Sequence, residues 1–250
     1  MCIIGLSINE SSRFPFVLWA NRDELYQRPS TEIYYRPSEP RYIGGKDLER
    51  GGSWLGVHPH TGDIAVVTNI REGLTEKKSA LSRGQLIDRF MENKMESFSI
   101  SDREQFNGFN LIFGNIRTGL FHTSSRMRTN IAISDGIQGI SNGDLNEPWP
   151  KTERLKSLMR QVDPKWSALE MIQTGFSVLG DTSEAPLKDL PDTGIDESLE
   201  KKLSPIRINI DQYGTVCSTI IFIDDTGTLH ICEYRYTDHK CMYYASPFQL

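Results

Sequence analysis

Cys2 is the residue whose type and position offer the clearest chemistry in the sequence. Removal of Met1, which is usual when the second residue is small, would leave Cys2 with a thiol and a free α-amine on one carbon. Such an amine titrates near about pH 8 and a thiol near about 8.5, so the amine can accept the thiol proton directly or through one water. The nucleophile and its base would then share one residue. The alternative is that Cys2 is a small apolar residue that begins a strand.

A polar block follows the second apolar run of the chain. Its members are Asn21, Arg22, Asp23 and Glu24. Residues 2–8 and 14–20 are apolar, β-branched and aromatic, and the polar turn between them predicts a hairpin. The hairpin would return the block to the neighbourhood of Cys2, where a guanidinium favours thiolate over thiol and a carboxylate can orient the α-ammonium. The alternative is a solvated turn with a local ion pair.

Two asparagines end apolar strands that the sequence predicts after residue 62 and after residue 135. Asn69 ends the first strand, and Asn142 follows the second. An asparagine amide in such a place can donate a hydrogen bond to a developing oxyanion, although residues of this type are also common in turns. Trp54 follows a glycine-rich turn, and we expect it in the core or in the wall of a ligand site.

The histidines and cysteines do not form a recognisable metal motif. His58 and His60 have the spacing of two ligands on one strand face, but Pro59 separates them and no carboxylate cluster is nearby. His230 and Cys232 could share a strand face, but two ligands do not make a site. We therefore expect no metal and no cofactor.

The elements that would position these residues alternate irregularly between strands and helices. Further hairpins are predicted at 109–123 and 217–236, and helices at 82–91, 149–159 and 166–179. This order differs from the regular βαβα of a doubly wound sheet and predicts an α+β fold with antiparallel sheets and external helices. The length of 250 residues favours one domain, residues 1–250, with a long loop or flap at 181–206.

Composition narrows the possible partners of the protein. The formal net charge is -5, from 28 Lys and Arg against 33 Asp and Glu, which argues against a dedicated nucleic-acid surface. No run of about 18 apolar residues predicts a membrane span, and the start of the chain lacks the charged region of a signal peptide. We expect a cytoplasmic protein that acts on a small molecule; the sequence does not indicate an oligomeric state.

Several short motifs, in order along nearly the whole chain, resemble the NRDE family, also called the transport and Golgi organisation 2 type. They are Met1–Ile4, Trp19–Glu24, Arg28-Pro29, Gly51–Gly56, Thr68-Asn69, Ser82–Gly84, Phe109–Ile112, Ser141-Asn142, Trp149–Lys151 and Tyr213–Thr215. Each motif is weak alone, but the ordered combination is specific.

The family in turn resembles the cysteine-type N-terminal nucleophile hydrolases, such as penicillin V and bile-salt acylases. This resemblance implies a four-layer αββα sandwich in which Cys2 attacks an amide carbonyl. By matching position, Arg22 and Asp23 would be the pair beside the nucleophile, although the acylases space this pair differently. Asn69 and Asn142 would be the asparagine contributors.

One position departs from the pattern of the family. Family members often carry arginine directly after Tyr-Gly-Thr, where this chain has Val216. The acylases also have a late arginine near their active site. Either Arg207 or Arg235 takes over this task, or the substrate is handled differently.

Two functions follow as hypotheses. The first is a cysteine amidohydrolase that cleaves a nonpeptide C–N bond of a small acylated molecule, with Asn21, Glu24 and Trp54 as substrate-binding residues. The second is a noncatalytic protein that binds or carries haem or a lipid-like ligand on the same scaffold, as has been suggested for some family members.

Overall fold

The computed structural model describes residues 2–71, 77, 80–92 and 100–248. Its strands are β1 (Cys2–Ile8), β2 (Phe16–Leu25), β3 (Tyr34–Tyr35), β4 (Ile43–Gly44), β5 (Leu55–Val57), β6 (Asp63–Asn69), β7 (Phe109–Asn115), β8 (Gly119–Ser124), β9 (Ile131–Ala132), β10 (Gly136–Ile140), β11 (Asn209–Ile210), β12 (Tyr213–Ile223), β13 (Thr228–Arg235) and β14 (Cys241–Pro247). Its helices are α1 (Gln85–Met91), α2 (Ile100–Arg103), α3 (Pro150–Met159), α4 (Ala168–Leu179) and α5 (Glu197–Lys202).

These elements form two antiparallel sheets, which confirms the predicted α+β class. The chain divides into two compact units, and each unit contains one sheet. Among the described residues, the first unit comprises 2–27 and 134–248, and the second comprises 28–71, 77, 80–92 and 100–133. In the part of the chain that the structure describes, no helix is long and apolar enough to cross a membrane.

The sheet of the first unit has the strand order β10-β1-β2-β12-β13-β14, and β11 pairs with β12. Helices α3 and α4 cover one face of this sheet. Trp19, Leu155, Met171 and Ile220 are buried there in a common apolar core. A Cβ at Gly175 would lie 2.7 Å from Ile220 and 3.0 Å from Trp19, so glycine allows α4 to approach the sheet closely.

The second unit is a sheet with the order β3-β4-β5-β6-β7-β8-β9. Helix α1 covers it through Leu86 and Ile87, which are buried in a core with Tyr42, Leu111 and Phe113. Residues 64–68 of β6 and 109–113 of β7 are all buried, although successive residues point to opposite faces of the sheet. Each unit therefore provides one sheet and one helical cover, which are the layers that an αββα fold requires.

Strand β2 differs from its prediction in length. The polar block was expected to follow the strand, but residues 21–24 lie inside β2, which continues to Leu25. The reason is strand pairing: β12 pairs with β2 along this whole stretch, and β1 pairs with it as far as Arg22. Satisfied backbone groups keep the chain extended here, although the side chains by themselves are typical of a turn.

The segment 181–206 also contains more regular structure than the predicted loop. It includes a 3-10 turn at Leu187–Asp189 and helix α5, where the Asp196 side chain caps the first turn by accepting from the Ser198 N–H at 2.9 Å. The two ends of the segment meet, since the Arg207 N–H donates to the Asp181 carbonyl at 2.8 Å. Its function as a flap stays a prediction.

Asn21 joins this segment to the sheet. Its Nδ2 donates to the carbonyls of Leu179 and Ile206, both at 2.9 Å, and its Oδ1 accepts from the Ser218 hydroxyl at 2.6 Å. The residue is 1% exposed. A single side chain thus satisfies two buried carbonyls, one at the end of α4 and one at the end of the segment 181–206.

We expect Asn21→Ala to lower the free energy of unfolding by about 3 kcal/mol, because it leaves two carbonyls and one hydroxyl buried without this partner. Urea unfolding would measure the change. Asn209→Ala is the matched control, since Asn209 is exposed and accepts one hydrogen bond from the Tyr26 hydroxyl at 3.0 Å. The control should lose less than about 1 kcal/mol. Equal losses in the two variants would contradict the structural task assigned to Asn21.

Candidate active site

Cys2 belongs to a row of four residues that crosses the first sheet. In the strand register, Cys2 pairs with Arg22, Arg22 with Cys217, and Cys217 with Arg235. Their neighbours Ile3, Trp19 and Ile220 face the helices, so alternation directs the row to the opposite face. Cys2 is half-buried, whereas the other three are buried. The predicted proximity of Cys2 and Arg22 is therefore present in the register.

Arg22 carries its charge inside the sheet, where it is 6% exposed. Glu24 lies two residues further along the same strand and hence on the same face, with its Oε2 3.9 Å from Arg22 Nη2. The Glu24 carboxylate also accepts from the Leu25 N–H at 2.9 Å. Arg22 and Glu24 thus form a loose ion pair beside Cys2.

Asp23 is held by the neighbouring strand. Its Oδ1 accepts from the Thr215 hydroxyl at 2.6 Å, and its carbonyl accepts from the Tyr213 hydroxyl at 3.2 Å. The register shifts between Thr215 and Cys217, so that Thr215 pairs with Asp23 while Cys217 pairs with Arg22. The shift is a β-bulge at Val216. Because of it, Thr215 lies opposite Asp23 and Cys217 lies opposite Arg22, although the two β12 residues are not adjacent in sequence.

The environment of Cys2 shifts the pKa of its thiol upward. Burial is the largest cause, and the Asp23 carboxylate acts in the same direction. The positive charge of the N-terminal ammonium is the largest cause that lowers the pKa, and a hydrogen bond from the backbone of Asp23 and the charge of Arg22 lower it further; together these causes do not outweigh the rise. A thiol with a raised pKa is mostly protonated at neutral pH, so attack by Cys2 would require a base that accepts its proton.

Asn142 lies where β10 passes the start of β1. The register pairs Ile4 with Ile140, the last residue of β10, and Asn142 follows this strand by two residues. The neighbouring Ser141 hydroxyl is 2.9 Å from the Cys2 carbonyl. Asn142 is fully buried, and its Oδ1 accepts from Lys151 Nζ at 3.4 Å. Lys151 thereby holds the amide oxygen of Asn142 in place.

Lys151 owes its position to helix α3. It is the second residue of that helix, after Pro150, and it is 3% exposed. Its Nζ donates to the Leu203 carbonyl at 3.3 Å as well as to Asn142. The sequence motif Trp-Pro-Lys therefore has a local reason: proline begins the helix, and the lysine at its start positions the asparagine.

A buried carboxylate beside this row has no counterpart among the sequence predictions. Glu233 is fully buried and accepts from the Thr219 hydroxyl at 3.4 Å. Burial raises the pKa of Cys217 well above its ordinary value; the charge of Glu233 and a hydrogen bond to it add to this rise, whereas Arg22 and Arg235 oppose it. Strand alternation within 217–223 and 228–236 was the available signal, but it does not fix which strands are neighbours.

The two arginines proposed to replace the one missing at Val216 differ in position. Arg235 shares the row of Cys2, and its Nε donates to both carboxylate oxygens of Asp238 at 3.2 and 3.3 Å. The Arg207 guanidinium instead lies over the Tyr236 ring, 4.0 Å from its centre. Position in the row favours Arg235 as the replacement.

The remaining predicted site residues lie elsewhere. Asn21 is on the helix-covered face of the sheet, with the structural hydrogen bonds described above, so its predicted contact with substrate gains no support. Asn69 ends β6 in the second unit, opposite Phe109 in the register, and Trp54 is buried in the same unit. The roles of Asn69 and Trp54 stay predictions.

The described residues contain no group of three or more His, Cys, Asp or Glu side chains that could hold a metal ion. The side chains of the row are one half-buried thiol, two arginines and a second thiol, and the carboxylates of Asp23 and Glu233 lie nearby. The charged members of this set change the pKa of the two thiols.

The fold is similar to that of a solved acylase. The solved structure of penicillin V acylase from Agrobacterium tumefaciens matches with a TM-score of 0.52 over 97% of this chain and 85% of that chain, at 11% sequence identity. At this identity the likeness shows the fold alone.

The family assignment comes from the sequence comparison. The family model described as "Transport and Golgi organisation 2" matches residues 1–238, and the chain belongs to this family. The homologs of Transport and Golgi organization protein 2 from Mus musculus and Homo sapiens are each 27% identical to it, over 93% of this chain and 92% of their own length. The resemblance drawn from the sequence motifs is confirmed.

We expect Arg22→Gln to slow alkylation of Cys2 by iodoacetamide at pH 7.5. Loss of a charge that lowers the pKa of Cys2 raises that pKa, so the thiolate fraction at fixed pH falls. A loss of about 1 kcal/mol of charge stabilisation corresponds to about a fivefold slower rate. Arg160→Gln, at an exposed position beyond α3, is the matched control and should leave the rate unchanged. An unaltered rate in Arg22→Gln would refute the influence of Arg22 on the thiol.

Proposed function

We propose that the protein is a cysteine amidohydrolase that cleaves a nonpeptide C–N bond of a small acylated molecule. Met1, which lies outside the described residues, would be removed, and Cys2 would act as the N-terminal nucleophile. The observation that carries the proposal is the position of Cys2: it is half-buried at the start of β1 and paired with Arg22, and its carbonyl accepts from the hydroxyl of Ser141, the residue before Asn142, at 2.9 Å. The fold shared with an acylase is consistent with this chemistry.

In the first half of the proposed reaction, the α-amine of Cys2 accepts the thiol proton as the sulfur attacks the amide carbonyl. The C–S bond forms, and the carbonyl oxygen becomes an oxyanion that Asn142 stabilises by donating a hydrogen bond. The C–N bond then breaks, the α-ammonium returns its proton to the leaving amine, and an acyl thioester remains on Cys2.

In the second half, the α-amine takes a proton from water as the water oxygen attacks the thioester. The C–S bond breaks, the thiol regains its proton, and a carboxylic acid leaves. Asp23 would accept a hydrogen bond from the ammonium, because its charge acts on Cys2 and its carboxylate is already oriented by Thr215. The proposal assigns the protein to the cytoplasm, where thiols stay reduced; all four cysteines are free thiols.

Processing of Met1 should control the reactivity of Cys2. Removal of Met1 brings the ammonium onto the residue itself, which lowers the pKa of its thiol and supplies the base. Intact mass would identify the mature chain, and iodoacetamide labelling followed by peptide mapping would give the rate at each cysteine. We expect Cys2 of the mature protein to be labelled at least about fivefold faster than Cys2 of a variant that keeps additional residues before Cys2.

Cys217 and Cys232 of the same protein are internal controls. Both are buried, so their labelling rates should not depend on the removal of Met1. Retention of Met1 in the mature protein would contradict the proposal, as would equal labelling rates in the mature and extended forms.

Hydrolysis itself can be tested with a panel of acyl amides of increasing chain length. The mature protein should release the acid, and Cys2→Ala should reduce the rate to background. The rate should rise with pH through about pH 8, because the α-amine accepts a proton only after it has lost its own. A mass increase equal to the acyl group on the Cys2 peptide would identify the thioester. Release that continues undiminished in Cys2→Ala would exclude Cys2 as the nucleophile.

Binding of haem or a lipid-like molecule without cleavage is the second candidate. The raised pKa of the Cys2 thiol favours it, because a protonated thiol is a weak nucleophile. The two functions differ in their need for Cys2. A binding protein should load haem or a fatty acid equally well as Cys2→Ala, whereas the hydrolase should lose turnover in that variant.

A further inference from the structure

Two thiols outside the candidate active site lie close together at the edge of the first sheet. The sulfurs of Cys232 and Cys241 are 3.8 Å apart. Cys232 lies in β13 and Cys241 begins β14, which is the last strand in the order of this sheet. Cys232 pairs with Tyr243 and Tyr234 with Cys241, so the two cysteines are diagonal neighbours on the same face.

This pair is separate from the row of Cys2. Cys232 belongs to the apolar core beneath α3 and α4, whereas the row lies on the other face of the sheet. The two thiols also differ in access, because Cys232 is 2% exposed and Cys241 is exposed. One thiol can therefore meet a dissolved reagent, and the other can be reached only from within the protein.

We propose that Cys232 and Cys241 are a modification site at which a low-molecular-weight disulfide, such as glutathione disulfide, oxidises the pair to a reversible intrachain disulfide. This inference does not depend on the proposed hydrolase activity.

The exchange proceeds in two balanced steps. The thiolate of Cys241 attacks one sulfur of the small disulfide, forms a mixed disulfide and releases one small thiolate. The thiolate of Cys232 then attacks the Cys241 sulfur, which forms the intrachain bond and releases the second small thiolate. The two protein thiols lose two protons and two electrons in total, and the small disulfide takes up the electrons as it becomes two thiols.

The order of these steps follows from the different environments of the two sulfurs. Burial, together with the charge of Cys241 and a hydrogen bond to it, raises the pKa of Cys232 to about 12, so Cys232 is a poor first nucleophile. A mixed disulfide on Cys241 removes that charge and thereby lowers the pKa of Cys232. The first step thus prepares the second.

The geometry allows the bond to form with a small movement. A disulfide needs about 2.0 Å between sulfurs, so the two atoms must approach by less than about 2 Å. In the part of the chain that the structure describes, β14 pairs only with β13, and every second side chain of β14 is exposed. An edge strand held on one side can shift to accommodate the bond, and the bond would then hold this strand in register.

Peptide mapping after incubation with glutathione disulfide at pH 8 tests the proposal on the intact protein. We expect a product two hydrogens lighter than the reduced protein, with Cys232 linked to Cys241, and full reversal by a dithiol reductant. Cys217 serves as the internal control because it is equally buried but, in the strand register, belongs to the row of Cys2 rather than to this pair. Linkage of any other two cysteines, or glutathione retained on Cys241 as the final product, would overturn the proposal.

Two serine variants separate the steps. Cys232→Ser should stop at a stable mixed disulfide on Cys241, whereas Cys241→Ser should react at neither position. Hydrogen exchange gives a readout beyond mass: amides of β14 should exchange at least about tenfold more slowly in the oxidised wild-type protein than in the reduced protein, because opening of the edge strand is constrained. Unchanged exchange in the oxidised protein would disprove the effect on the strand.

Discussion

The first sheet depends on the pairing of β2 between β1 and β12. This pairing satisfies the backbone of a highly polar stretch and so keeps it extended inside the sheet. Because successive residues of a strand point to opposite faces of the sheet, the side chains of the polar block have two different roles. Asn21 turns toward the helices and fixes the carbonyls at the ends of two segments, while Arg22 turns toward Cys2. One strand thereby connects the stability of the unit to the chemistry of its candidate site.

Burial of an arginine beside a thiol has an electrostatic cost, which the neighbouring strands offset. Arg22 has Glu24 on its own strand, and the buried Glu233 lies on the same face two strands away. Buried charges are tolerated when carboxylates and guanidinium groups compensate one another. The compensation also fixes the groups in place, so the field at Cys2 is set by the fold before any ligand arrives.

The sequence was sufficient for those parts of the site that arise from local structure. In an apolar hairpin with a short turn, the end of the second strand lies beside the start of the first strand. The proximity of Cys2 and Arg22 was therefore predictable. The extent of β2 was not, because four polar residues resemble a turn unless both flanking strands are known. The position of Glu233 was not predictable either, since it depends on the long-range pairing of β12 with β2 as well as with β13.

The closed base of the segment 181–206 has a consequence for evolution. Since Asp181 and Arg207 are joined by a backbone hydrogen bond, a change of length before helix α5, away from the Leu203 carbonyl that accepts from Lys151, would leave the two ends of the segment in place. The entropy of closing a flexible loop grows slowly, by about 0.6 kcal/mol for each doubling. Insertions or deletions in this segment would therefore cost little free energy, and related proteins can diversify here while Asn21 continues to hold the same two carbonyls.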